Sequence, residues 1–345
     1  MLFSELQTWA PFKIDALGVV TMLGADGVNL AIGQLTQSRY TDWLPLLGAY
    51  VIANNHVAEP IPGFSLYNIT DGILATDVSG WFARWLLCQD LPYSSSTIFI
   101  APETLRRPIA HQISAVVLGL PTIVITIFVG IIGDWWGFAN GISMIASVII
   151  RQIVLGQNRC GLDRAVERAQ EMSDQLVKVF MTLPNGKAIT IITTRGIVVN
   201  CLLTTPRPPS PRLYNMALAM GWLVFGVHII ALGMATLFCQ ILSVVLLITS
   251  TFLATRQSGM DRQPIGRRLF LQRTDAKEEF RAAAYARLQL TPTEEASMVQ
   301  WHLFPHKHNE LWWNSYRHAQ QLNNFESWDD ILAKKSSPSF KYYSK

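Results

Sequence analysis

The stretch Ile131-Ile132-Gly133-Asp134-Trp135-Trp136-Gly137-Phe138-Ala139-Asn140 sets a carboxylate and two adjacent tryptophans between runs that otherwise avoid charge. Pro108 to Gly133, Trp135 to Ile150 and Leu213 to Ala254 contain no Asp, Glu, Lys or Arg. Only 15% of the chain is charged and its mean hydropathy is +0.24, against about 25% charged residues in an ordinary soluble domain. A bilayer-spanning helix needs roughly 20 mostly apolar residues. The pattern is that of a mainly α integral membrane protein, with Asp134 at the turn between two spans.

The third run would make a helix of about 60 Å, twice the hydrocarbon thickness, so it folds back near Gly233 to Thr236. Four spans follow: 110–132, 136–155, 213–233 and 236–255. Pro121 lies in the first, where neighbouring helices can satisfy the freed backbone groups. Ile14 to Leu35 is moderately apolar but holds Asp15 and Asp26. An extra span over 14–35 and a buried or interfacial helix both stay open. Met1 to Phe12 lacks the features of a signal peptide. The cysteines Cys88, Cys160, Cys201 and Cys239 show no CxxC spacing, so neither a zinc signature nor a disulfide framework is expected.

Charge orders the segments. Residues 1–107 carry five Lys/Arg against nine Asp/Glu, residues 156–212 eight against four, and residues 256–345 fourteen against ten. With four spans all three regions share one side, and the positive-inside rule makes that side the cytosol. The expected organisation is an N-terminal mostly cytosolic region (1–107), a transmembrane hairpin (108–155), a small cytosolic α+β insert between spans two and three (156–212), a second hairpin (213–255) and a basic cytosolic tail (256–345). The expected location is the endoplasmic reticulum membrane, termini in the cytosol. The sequon Asn68-Ile69-Thr70 then stays unmodified.

Within the insert, Leu162 to Val177 has helical periodicity, and Asn185-Gly186 between β-rich runs predicts a hairpin with a type I′ turn. A third strand is expected over Ile197 to Leu203, followed by the stiff spacer Pro206 to Pro211. The tail is expected to begin against anionic headgroups, to form a helix near Ala276 to Leu290 and to end disordered from Lys334.

Several side chains are candidates for chemistry. Asp134 with Trp135 and Trp136 reads either as an interfacial hairpin anchored by tryptophan or as a proton donor beside cation-stabilising aromatic faces. Arg151 reads as a side chain reaching the interface or as the partner of a buried acid. His228 is the ionisable group deepest in an apolar run, and intramembrane ionisable residues are functional candidates. Asn140 and Gln240 read as interhelical hydrogen-bonding groups. His302, His306, His308 and Glu310 cluster in sequence, but Pro305 breaks the helix that would align them, and no metal site is expected. The acids Asp15, Asp26, Glu59, Asp71 and Asp77 around Trp81, Phe82 and Trp85 suggest charge complementarity with the basic insert. Nucleophile elbow, HExxH, dinucleotide fingerprint and aspartate-rich diphosphate motif are absent. No cofactor and no nucleic-acid partner is expected, and no channel filter is visible.

The run Gly133 to Gln152 (GDWWGFANGISMIASVIIRQ) and the segment Gly196 to Tyr214 (GIVVNCLLTTPRPPSPRLY), with the uncharged pair of spans after it, resemble fungal polytopic membrane proteins found with secondary-metabolite pathways. Over residues 105–290 the chain most resembles the membrane-bound terpene cyclases of the ascofuranone and ascochlorin type. It differs from the shorter seven-helix meroterpenoid cyclases in showing four spans. The resemblance implies acid-initiated cyclisation of a farnesylated or epoxyfarnesylated phenol taken from the bilayer, without diphosphate ionisation, alongside pathway epoxidase or oxygenase enzymes. It carries no catalytic residue over. Its chemistry needs a protonated carboxylic acid and aromatic faces for the cation, for which Asp134 with Trp135 and Trp136 are the candidates; His228, as an intramembrane ionisable group, completes the candidate catalytic residues. The alternative is a non-enzymatic membrane scaffold or transport-associated protein.

Overall fold

The computed structural model describes residues 25–48, 50–89, 91, 96–103, 109–256, 262–274, 281–286 and 288–322. The first half of the expected 14–35 span (14–24) and the tail end from Lys334 lie outside them. In chain order the elements are α1 (Ala25–Gly33), α2 (Arg39–Trp43), α3 (Tyr50–Ala53), β1 (Ser65–Asn68), β2 (Ile73–Ala75), α4 (Gly80–Cys88), β3 (Thr97–Pro102), α5 (Ile109–Ile132), α6 (Trp135–Met172), β4 (Leu176–Thr182), β5 (Ala188–Thr194), α7 (Pro211–Met234), α8 (Leu237–Arg256), β6 (Arg262–Ile265), β7 (Leu269–Thr274), α9 (Arg281–Ala286), α10 (Pro292–Gln300) and α11 (Glu310–Leu322).

The protein is mostly helical, with a seven-stranded mixed sheet among the described residues. Helices α6, α7 and α8 are long and apolar enough to cross a bilayer, and α5 is apolar from Val117 to Ile132. Their outward faces are apolar: Val124, Ile131, Met216, Ile230, Val245 and Phe252 are all exposed. Two turns join them in pairs. Gly133 takes a left-handed φ of 91°, which glycine adopts without steric cost, and Asp134 then caps α6. On α6, Gly137 and Gly141 face α5: a Cβ at Gly137 would stand 2.7 Å from Val129, and one at Gly141 would strike Thr126. Small residues four apart let two apolar helices approach closely.

Helix α6 runs unbroken for 38 residues, about 57 Å. The expected span 136–155 and the expected helix from Leu162 are therefore one rod, because the polar residues between them still leave a buried stripe of Leu155, Leu162, Val166 and Ala169; it ends at Met172, short of the expected Val177, which belongs to β4. Its second half lies against the sheet, in one core with Leu66, Val179, Ile191 and Trp85.

The sheet corrects the expected organisation. Its order is β2-β1-β4-β5-β3-β7-β6. The insert supplies only β4 and β5; the N-terminal region supplies three strands and the tail two, so the α+β unit is assembled from three segments and not confined to 156–212. The β4–β5 hairpin stands where expected, with Thr182 opposite Ala188. Its turn is not type I′. Gly186 N–H donates to Leu183 O, and Gly186 takes a left-handed φ of 76°. This is a three-residue loop, Pro184-Asn185-Gly186, of the kind in which a type I turn is followed by a left-handed glycine. The expected third strand is also absent. Arg195–Ile197 is a helical turn and Val198–Leu202 a π-helical one, held against α6 where Gly196 meets the Ala169 carbonyl too closely for any side chain. Packing overrides the β propensity of Ile197, Val198 and Val199.

The other sheet face is covered by the tail. Phe180 and Tyr67 meet Tyr285, Phe304, Trp312 and Tyr316. Thr291 and Glu294 form a capping box at α10, and Lys178 on β4 pairs with Glu294 at 2.9 Å. The described start of the tail is thus sheet edge and helix. The expected complementarity between N-terminal acids and the insert is realised by Asp71 and Arg195, paired across two contacts.

Candidate functional site

Asp134 is nearly buried, at 6% exposure. One carboxylate oxygen accepts from the Gly137 N–H at 2.9 Å, capping α6. The other accepts from the N–H and the hydroxyl of Thr236, each at 2.8 Å. Thr236 sits in the turn between α7 and α8. The carboxylate therefore clasps the two interhelical turns together at one end of the bundle. On the next turn Gln240 donates to the Leu232 and Ala235 carbonyls, both at 3.1 Å, closing the end of α7. Asn140 donates to Ser243 on α8 at 2.9 Å. Both amides serve as the interhelical groups expected of them.

Trp135 and Trp136 do not enclose a chamber beside Asp134. They are 73% and 48% exposed, and Trp135 meets Phe138 edge-on at 6.1 Å. His228 lies elsewhere. Its Nδ1 is 3.5 Å from the Ser143 hydroxyl, and Ser143 is nine residues, about 14 Å, along α6 from Asp134. The four residues thus do not form one site.

His228 lines a small, partly open crevice with Pro45, Leu46, Met144, Ser147 and Phe225, with enclosed space for about one water molecule. Pro45 and Leu46 belong to the irregular segment after α2. This segment enters the helix bundle, where Leu47 packs with Met144, Leu232 and Leu247. Its backbone is satisfied by side chains: Thr251 accepts from Leu47 N–H at 2.9 Å, Arg151 donates to the carbonyls of Asp42 and Leu44, and Gln152 also donates to Asp42 O. Arg151 is 3% exposed and neither reaches solvent nor carries the nearest ion pair. That pair is Arg159–Asp42, at 2.9 Å.

Arg84 does the same work further out. It donates to the carbonyls of His56, Glu59 and Gly80 and, at 3.1 Å, to Asn29. Burial lowers its pKa to about 10, with nearby Glu59 opposing the shift. Burial likewise raises the Cys201 thiol to about 12, which leaves it unreactive at neutral pH. Sequence reading passed over Arg84, Arg159, Ser143 and Ser147. Arg84 alone carried a signal, as a lone charge among Trp81, Phe82 and Trp85.

His306 and His308 stack at 5.7 Å, and no group of three or more His, Cys, Asp or Glu able to hold a metal ion occurs among the described residues. No family model, curated protein or solved structure matches this chain.

Proposed function

We propose that the chain is an integral membrane protein of four spans, α5, the first part of α6, α7 and α8, with the Asp134 turn on the far side and the sheet unit in the cytosol, acting as a non-enzymatic scaffold. The apolar outer faces of the four helices and far-side turns without Lys or Arg support the spans. Met144 lies about 15 Å from Asp134, half the hydrocarbon thickness. In this arrangement Leu44–Leu47 is a re-entrant segment reaching the middle of the bilayer from the cytosolic side. Irregular backbone is tolerated at that depth where protein groups satisfy it, which is what Arg151, Gln152 and Thr251 do.

The observation that carries the non-enzymatic reading is the saturation of the acids. Acid-initiated cyclisation of a farnesylated phenol needs a protonated carboxyl facing the substrate. Asp134 instead acts as an acceptor, towards Gly137 N–H and the N–H and hydroxyl of Thr236 among others, and Asp42 is committed to Arg159. The tryptophans beside Asp134 point outward, where they suit interfacial anchoring. The test uses microsomes expressing the chain, supplied with a panel of farnesyl and epoxyfarnesyl phenols. The chain should resist alkaline extraction, and the panel should remain unchanged. A cyclised product of unchanged mass, lost in Asp134→Asn, would establish the cyclase reading instead.

A further inference from the structure

The crevice at His228 has a polar chemistry that the scaffold reading does not use. The Ser143 hydroxyl donates to the Asn140 carbonyl at 2.7 Å, so towards His228 its oxygen can only accept. The Nδ1 contact at 3.5 Å therefore requires the proton on Nδ1. In that neutral tautomer Nε2 is a bare acceptor, and it has no hydrogen-bond partner among the described residues. His228 as a whole is buried, at 6% exposure. Ser147, one turn along α6 from Ser143, also lines the crevice, and its hydroxyl too lacks a partner among the described residues. Two unmatched groups on facing helices, one an acceptor and one able to donate, share an otherwise apolar recess closed above by Pro45 and Leu46.

We infer that this crevice binds the hydroxyl group of a lipid-soluble alcohol or phenol, which donates to His228 Nε2 and accepts from Ser147. A hydroxyl matches both groups at once. An ether or hydrocarbon leaves Nε2 unpaired in an apolar site, which costs binding. Met144 and Phe225 supply adaptable apolar walls, and the recess takes the hydroxyl alone, the rest of the molecule lying at its open side. The source can be a free small molecule or a membrane sterol, since both present the same group.

The test uses the full chain in sterol-free phosphatidylcholine nanodiscs with ¹⁵N-labelled histidine. Among the seven histidines, the His228 signals are identified by their loss in His228→Gln. Titration with 4-propylphenol, its methyl ether and ergosterol is followed at Nε2. The phenol, the sterol or both should move that resonance saturably, naming the source, while the ether leaves it in place. Ser147→Ala should weaken the binding by about 2- to 10-fold, the loss of one hydrogen bond, without moving the Nδ1 signal. Absence of a saturable shift with either hydroxyl compound, or an equal response to the methyl ether, overturns the proposal. So does a resting spectrum with the proton on Nε2.

Discussion

Asp134 accepts from Gly137 and from both donors of Thr236, and that pattern predicts how it responds to substitution. In Asp134→Asn one oxygen becomes an NH₂ group and is forced against a donor. The change should cost about 1–3 kcal/mol, visible as a lower unfolding temperature in detergent. Thr236→Ala should cost less, and the double variant should fall short of the sum because the two share a network. An Asp134→Asn protein of unchanged stability would remove the clasp. At Asp42, replacement by Ala strands Arg159 in a buried site and should cost about 3–5 kcal/mol, with Asp42→Asn milder; equal stability of all three forms contradicts the pairing. The oddity of Asp134 was legible in sequence because it interrupts a charge-free run. Its partner was not, since Thr236 is 102 residues away and nothing local distinguishes it from other threonines. The partners of Arg151 and Arg159 were hidden for the same reason: apart from the Asp42 carboxylate, they are backbone carbonyls such as those of Leu35, Thr36 and Leu44, which carry no sequence signal.

Elements show a similar division. The long helices and the β4–β5 hairpin were readable because each rests on a local rule, continuous apolarity in one case and turn residues between β-rich runs in the other. The expected strand over Ile197 to Leu203 failed because close packing of Gly196 on α6 decides its conformation. Strands β1, β2, β3, β6 and β7 went unread: β1, β3 and β7 pair with strands far along the chain, and β2 and β6 are edge pieces of three and four residues. Two element-level substitutions follow. Gly186→Val places a β-branched residue at a left-handed φ and should cost about 1–2 kcal/mol, measured as faster proteolysis of the hairpin. Gly141→Leu drives a side chain into Thr126 and should separate α5 from α6, lowering the unfolding temperature by more than Gly156→Leu, where nothing stands within 4 Å. Equal effects at the two glycines would refute the close α5–α6 contact.

At the scale of the whole molecule, α6 is the connecting rod. Its first half lies with the apolar helices and its second half with the sheet, while the segment around Leu44–Leu47 threads back from the sheet side into the bundle. The proposed four-span arrangement makes a definite statement about which residues share a side of the membrane. Cys160 is exposed on the sheet side, whereas Cys201 and Cys239 are buried. Labelling intact sealed microsomes with a membrane-impermeant maleimide therefore separates the two sides. In a Cys88→Ser background, Cys160 should be modified at once, and a cysteine introduced by Trp135→Cys should react only after the vesicles are opened with detergent. Modification of both positions in sealed vesicles, or of the Trp135→Cys position alone, would contradict the four-span arrangement.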